Sequence, residues 1–364
     1  MTTSDETPPT GERLRIAVVG AGLGSAPHFK SLEDLAGSVD VAWVYARDPG
    51  RLAAMALPGG ARRSSRFEDI LNDQSVKAVL VLTPPATHLE LARALASAGK
   101  HVLVEKPLDV SLRKAVELVE TCEANGVQLA VMLQHRLREA ARSLKTLVDG
   151  GELGQLVSAR ASVRWWRPQS YYDQAGRGTL ARDGGGVLMT QAIHTLDLLL
   201  SLTGLPDRVS GIATTSPLHT MECEDTAAAL LHYAGGAIGV VDATTAAFPG
   251  FQESIEWNGT LGSATLQGGE LKVCFMDGRT LNVGSAETSG SGAGVMDFPH
   301  GPHRAVLQDF FSAVSNGTEP AISGRSALGV HRVIDAIMAS ASLGGAPVDL
   351  LATTRPDAPA NVVT

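Results

Sequence analysis

Residues 14–25 read Leu14-Arg15-Ile16-Ala17-Val18-Val19-Gly20-Ala21-Gly22-Leu23-Gly24-Ser25, a short, largely apolar run entering a glycine-rich turn. A strand that breaks into such a turn and then opens a helix is the first unit of a doubly wound parallel sheet. Gly20 permits the tight turn. Gly22 lets the backbone approach a pyrophosphate seated on the positive end of the following helix. Ser25 stands at the third fingerprint position in place of glycine and is small enough for helix–strand packing.

Working outward, Val39–Tyr45 reads as a second strand, and Phe67–Asp73 leads into a third, Ala78–Leu82. Thr87 and Glu90 have the spacing of a capping box, opening a helix that Gly99 closes. His101–Val104 is the next strand and runs into Glu105-Lys106-Pro107. Ser111 caps a helix ending near Gly126, and Val127–Met132 is a further strand. Apolar strands alternating with helices predict a parallel sheet covered on both faces. Lys106, at the carboxyl end of one of them, stands where such a sheet meets its ligand.

The pattern changes after a helix at about 136–148. In Leu156–Arg167, Val157, Ala159, Ala161, Val163 and Trp165 fall on one side and arginines and serines on the other, as in a half-buried strand. Residues 208–283 continue in this style, with turns expected at Gly235-Gly236, Asn258-Gly259, Gly268-Gly269 and Asp277-Gly278. A long helix, about 187–202, is opened by Gly184-Gly185-Gly186. The serine- and glycine-rich stretch 284–294 reads as a loop, and helices follow at about 303–315 and 326–342. The expected fold is α/β plus α+β. A dinucleotide-binding domain over 13–133 precedes an α+β domain over 134–351 with a large, mostly antiparallel, open-faced sheet. Tails 1–12 and 352–364 read as flexible.

With 364 residues, 44% of them hydrophobic and 19% charged, the chain has material for two domain cores. A net charge of −8, without a basic run, argues against nucleic acid or an anionic membrane as partner. No apolar run reads as membrane-spanning. Cys122, Cys223 and Cys274 are few and far apart, giving no metal spacing and no disulfide framework, and the expectation is a cytoplasmic protein without a metal site. His300 and His303 precede a helix, and the sequence leaves their role open.

Taken together, four segments resemble the glucose–fructose oxidoreductase/inositol dehydrogenase (Gfo/Idh/MocA) family: Gly20-Ala21-Gly22 with His28; Thr83-Pro84-Pro85-Ala86-Thr87-His88; Glu105-Lys106-Pro107; and Gly184-Gly185-Gly186 through His194-Thr195-Leu196-Asp197. The resemblance covers roughly residues 14–345 and implies a Rossmann dinucleotide-binding domain. It also implies an NAD(P)-dependent dehydrogenase or reductase acting on a secondary alcohol or ketone. The substrate class is a sugar, sugar acid, nucleotide-linked sugar or cyclitol. A dinucleotide sensor without catalysis, as in a yeast galactose-pathway co-regulator of the family, and a cyclic dihydrodiol dehydrogenase are the alternatives.

On this resemblance Lys106 bonds and orients the reacting hydroxyl, and His194 exchanges its proton, a role suited to an imidazole. Gly20, Gly22, Leu23, Thr83, Pro84, His88, Glu105 and Lys106 border the cofactor. On the long helix, Thr190, Gln191 and Asp197 are spaced to share a face with His194. Threonine replaces the family's commoner Asp or Asn at 190 and cannot act as a base. Trp166, Arg167, Tyr172 and Arg177 are candidate substrate contacts through stacking and anion pairing. After the second strand, Ala46-Arg47-Asp48 lacks the acid that would accept both ribose hydroxyls. Arg47 can pair with a 2′-phosphate, so NADP is expected over NAD. A homo-oligomer, dimer or tetramer, is expected from the broad sheet face.

Overall fold

In a computed structural model, residues 13–285, 290–292, 294 and 298–350 are described. The expected tails and part of the 284–294 loop lie outside them. The chain divides into two compact units, the first comprising 13–108, 117–132 and 300–324 and the second the remainder. The expected boundary at 133/134 lies one residue past the step from Met132 in the first unit to Leu133 in the second. Residues 300–324 group with the first unit, and 109–116 with the second.

The first unit is built on β1 (Leu14–Val19), β2 (Val39–Tyr45), β3 (Arg62–Ser64), β4 (Ala78–Val81), β5 (His101–Val104) and β6 (Leu129–Val131). They form a parallel sheet in the order β3-β2-β1-β4-β5-β6. The order reverses at β1 and β4, the switch point at which such sheets bind ligands. Ile16–Val19, Ala78–Val81 and Val102–Val104 are fully buried, which explains strands apolar on both faces. Helices α1 (Ala26–Asp34) and α2 (His88–Ser97) follow β1 and β4, and α3 (Leu112–Ala124) precedes β6. Gly99 takes a left-handed φ of 69° just past α2. The capping box at Thr87 does not form. Pro85–Thr87 already coil as a tight turn, the Thr87 hydroxyl donates to Pro84 O at 2.8 Å, and Glu90 pairs with Arg93.

The expected helix at 136–148 is a tight turn, Gln134–Leu137, followed by α4 (Glu139–Asp149). The second unit carries β7 (Leu156–Arg164), β8 (Arg208–Thr214), β9 (Thr226–His232), β10 (Ile238–Thr244), β11 (Ser254–Gly259), β12 (Gly262–Gln267), β13 (Glu270–Phe275), β14 (Thr280–Gly284) and β15 (Val348–Asp349). Their order is β14-β13-β12-β11-β7-β10-β9-β8-β15, antiparallel throughout except for the parallel pair β7–β10. Ala159, Ala161 and Val163 face the core as expected, but Val157 is exposed. The pairing with β11 jumps from Ser158 to Leu156, and this bulge turns Val157 outward. Asn258-Gly259 belongs to β11, so the chain reverses at Thr260-Leu261 instead.

The long helix starts with a wide π turn, Leu188–Ala192, and continues as α5 (Ile193–Thr203). The stretch Leu180–Thr203 has the length and hydropathy of a membrane span, contrary to the expectation that none would, yet its apolar 18-residue core is 83% buried in the protein, as in a core helix. Two helices complete the chain: α6 (Gly301–Asn316), packed on α1 within the first unit, and α7 (Gly324–Ser342).

Candidate active site

In the first unit the glycine turn is dictated by close packing. Gly20 has φ 107°, and a Cβ there would stand 2.8 Å from the carbonyl carbon of Leu82. A Cβ on Gly22 would meet nothing within 4 Å, so its surface lies open. Ser25 is buried and donates to Gly22 O at 2.7 Å, closing the turn that leads into α1. Leu23 contributes backbone to that turn; its side chain is outside the described part of the chain. An open glycine ahead of a helix N-terminus fits the pyrophosphate of a dinucleotide.

At the end of β2, Ala46 is buried and Arg47 exposed. Asp48 Oδ1 accepts the Gly50 N–H at 2.9 Å and so starts the next helical turn. After β4, the hydroxyls of Thr83 and Thr87 lie 2.7 Å apart, and Pro84 opens the tight turn. His88 does not fit the role of a cofactor ligand. It is fully buried, with Nδ1 3.1 Å from Pro107 O and Leu108 O, and Nε2 2.9 Å from Thr83 O. Its ring ties the loop after β4 to the loop after β5.

Glu105 closes β5. Its Oε1 lies 2.6 Å from His28 Nε2, and its Oε2 accepts the Lys106 N–H at 3.1 Å. Burial opposes its charge. The His28 hydrogen bond and the neighbouring His28, His303 and Lys106 outweigh that and hold the carboxyl down to about 2. His28 and His303 are buried and meet edge to face, with ring centroids 5.3 Å apart. Lys106 is half-buried at the strand end. His300 bonds Asp34 instead, at 2.9 Å.

The second unit explains the Gly184-Gly185-Gly186 signature through Glu224, a residue the sequence reading missed. The buried Glu224 carboxylate accepts from the N–H groups of Gly186 at 3.0 Å and Leu188 at 3.1 Å, capping the start of the long helix. A Cβ on Gly186 would lie 1.7 Å from Glu224 O. Burial pushes this carboxyl up, against the pull of its backbone donors.

His194 is buried in α5 and stacks on His135, with centroids 5.0 Å apart and planes at 29°. His135 Nε2 lies 3.9 Å from Glu253, which takes a 2.6 Å bond from Arg138. Asp197, three residues past His194 in α5, is buried and receives Arg136 Nε at 2.6 Å and Nη2 at 2.5 Å. Thr190 lies in the π turn that precedes α5. The Thr190 hydroxyl is shared between Gly186 O, at 2.7 Å, and Gln191 Oε1. Gln191 Nε2 reaches the Tyr171 hydroxyl at 3.5 Å, and the Arg177 guanidinium lies 4.5 Å from the centre of the Tyr171 ring.

Two of the proposed substrate contacts are packing residues. Arg167 is 2% exposed and donates to the carbonyls of Trp166 and Gly292 from Nη1 and of Gly290 from Nη2, so it anchors a loop. Tyr172 is buried against Tyr171 and His219, with its hydroxyl 2.7 Å from that of Thr245. Trp166 remains half-buried, edge-on to Phe248. Behind them sits a buried pair that no sequence pattern marks: His219 Nδ1 lies 2.7 Å from Asp225, and His219 Nε2 lies 2.8 Å from Arg167 O.

Residues 14–133 match the family described as "Oxidoreductase family, NAD-binding Rossmann fold", and residues 141–265 match "GFO/IDH/MocA C-terminal domain". An uncharacterised oxidoreductase of Synechocystis is 30% identical over 71% of this chain and 73% of its own length. A protein of Haloferax volcanii named D-xylose 1-dehydrogenase (NADP(+)) 2 is 28% identical over 90% of this chain and 96% of its own. Among solved structures, the WlbA dehydrogenase of Chromobacterium violaceum, in complex with NADH and UDP-GlcNAcA, superposes with a TM-score of 0.81. It is 27% identical, over 96% of this chain and 99% of that one.

Proposed function

The chain belongs to the GFO/IDH/MocA oxidoreductase family, and from that premise we propose that it oxidises or reduces a secondary alcohol or ketone of a sugar, sugar acid, nucleotide-linked sugar or cyclitol. The observation that carries this reading is the open surface of Gly22 ahead of α1, in the sheet whose β5 delivers Lys106. The nicotinamide, when bound, supplies the hydride chemistry. The chain's own residues bind, orient and move the proton. The Lys106 ammonium bonds and polarises the substrate oxygen. His194 takes or returns the hydroxyl proton. Thr190, Gln191, Tyr171 and Trp166 offer the hydroxyl, amide and ring surfaces that a polyhydroxylated substrate requires.

Arg177 refines the substrate class. Among the described residues no acceptor reaches its buried Nε, which suits a carboxylate or phosphate on the substrate. A sugar acid or nucleotide-linked sugar is therefore favoured over a neutral cyclitol. NADP is favoured as cofactor, because Arg47 is exposed beside the small Ala46 and Asp48 already serves Gly50. The outward face of β8, β9 and β10 exposes Ile212, Leu230 and Ile238, an apolar patch suited to a second copy of the chain. With three free cysteines, two of them buried, the chain suits a reducing compartment, and the cytoplasm is proposed.

A screen of sugars, sugar acids, nucleotide sugars and cyclitols, following nicotinamide absorbance with both cofactors, tests the reading. Turnover with an acidic sugar supports it. Tight dinucleotide binding without turnover of any member would favour the sensor.

A further inference from the structure

We propose that His28, Glu105 and His303 form a binding site for one divalent cation of the zinc class. One donor atom from each converges in the first unit, all within 4.8 Å of one another, and no other group of three or more His, Cys, Asp or Glu does so among the described residues. Two imidazoles and one carboxylate are a borderline-soft donor set that suits zinc and leaves a position open.

The adjustment required is small. Zinc holds nitrogen and oxygen at about 2.0–2.2 Å, so tetrahedral ligands stand roughly 3.4 Å apart. The 2.6 Å His28–Glu105 contact must open by less than about 1 Å, and no pair need close by more than about 1.4 Å. In the hydrogen-bonded form a single proton joins His28 to the carboxylate; a cation replaces that proton and engages a lone pair from each of the three groups.

The site is also braced from outside. The Lys106 N–H holds the second Glu105 oxygen at 3.1 Å, the kind of outer contact that fixes a ligating carboxylate. Asp34, at the end of α1, receives His300 at 2.9 Å and Arg304 at 2.7 Å from the start of α6. This clamp sets His303 against His28 independently of any ion. A bound cation would tie α1 and α6 to the end of β5 and thereby fix the backbone that carries Lys106. The site does not depend on the redox reading.

The test uses the untagged full-length protein, stripped with chelator, dialysed and titrated with zinc chloride alone. One zinc per chain is expected by calorimetry and by elemental analysis after gel filtration, with an anomalous-scattering peak among the three residues in crystals. His303→Gln and His28→Gln should each weaken zinc binding by roughly a hundredfold or more. Cys274→Ser, which removes the exposed thiol, should leave it unchanged. Dissociation constants above about 100 μM, equal retention by both histidine variants, or a peak elsewhere would reduce the cluster to a hydrogen-bonded network. The crystal measurement on the unmodified protein decides the matter even if a variant fails to fold.

Discussion

Glu224→Gln isolates the contact that the glycine signature serves. The two carboxylate oxygens each accept one backbone N–H, from Gly186 and Leu188. Glutamine keeps one acceptor and turns an NH2 group toward the other N–H, leaving a buried donor facing a donor. With the unsatisfied buried donor taken at about 1–2 kcal/mol, losing the charge from the remaining bond adds about 1 kcal/mol and brings the total to about 2–3 kcal/mol. For a unit of this size that corresponds to a fall in Tm of roughly 4–12 °C, measurable by scanning calorimetry. The pH dependence supplies a second check. Burial raises the Glu224 pKa on folding, so the folded state takes up a proton before the unfolded state does. The unmodified protein therefore gains stability as pH falls through the folded pKa towards the ordinary glutamate value, and the variant lacks that gain. The gap between the two should widen on mild acidification. A Tm change below about one degree would refute the capping argument, and a gap that narrows in acid would mean that the backbone donors outweigh burial in setting the Glu224 pKa.

His194→Ala should lower kcat by roughly two to four orders of magnitude with dinucleotide binding, read by fluorescence, nearly unchanged. Lys106→Ala should lower kcat and kcat/KM together, and a rise in KM alone would reassign Lys106 to ground-state binding. Arg47→Ala should weaken NADP(H) binding by roughly tenfold or more while sparing NAD(H). Tighter binding of NAD than of NADP by the unmodified protein, by titration calorimetry, counts against the assignment. Burial opposes the Asp225 charge, but its bonds from Ser216 and His219 prevail and its pKa is lowered. The stability it contributes is present above the ordinary aspartate range and lost as pH falls through the folded value. Asp225→Asn should therefore be less stable at neutral pH, with a difference that shrinks in acid unfolding curves.

The parallel sheet was legible because its signals are local. Strand, glycine turn and helix lie within one stretch of chain, and Gly20 is fixed by a backbone only one strand away. The antiparallel sheet was legible in outline from period-two alternation, but that period carries no information about interruptions. The bulge at Val157 depends on β11, which is distant in sequence. The π turn at Leu188–Ala192 likewise opens at a residue whose N–H is held by Glu224, a contact that no pattern around residue 190 encodes. The grouping of α6 with the first unit has the same origin, since its partners Asp34 and α1 lie far away in sequence.

Residue type identified chemistry more readily than it identified use. His88, Arg167 and Tyr172 look like ligand-binding groups in a sequence, and each is a polar side chain that can pack. In the folded chain they face fixed partners: carbonyls around His88 and Arg167, and the Thr245 hydroxyl on Tyr172. A buried polar group must find a partner or carry a penalty, so these three are spent on holding loops in place. Arg177 follows the same rule to the opposite conclusion. Its Nε is buried without an acceptor among the described residues, while its guanidinium rests on Tyr171. A cation held by an aromatic face with a donor left over supports the proposed contact with an anionic substrate group. Arg167 also buries an Nε without an acceptor, but its terminal nitrogens are spent on loop carbonyls, and that difference is why the proposed anion contact rests on Arg177.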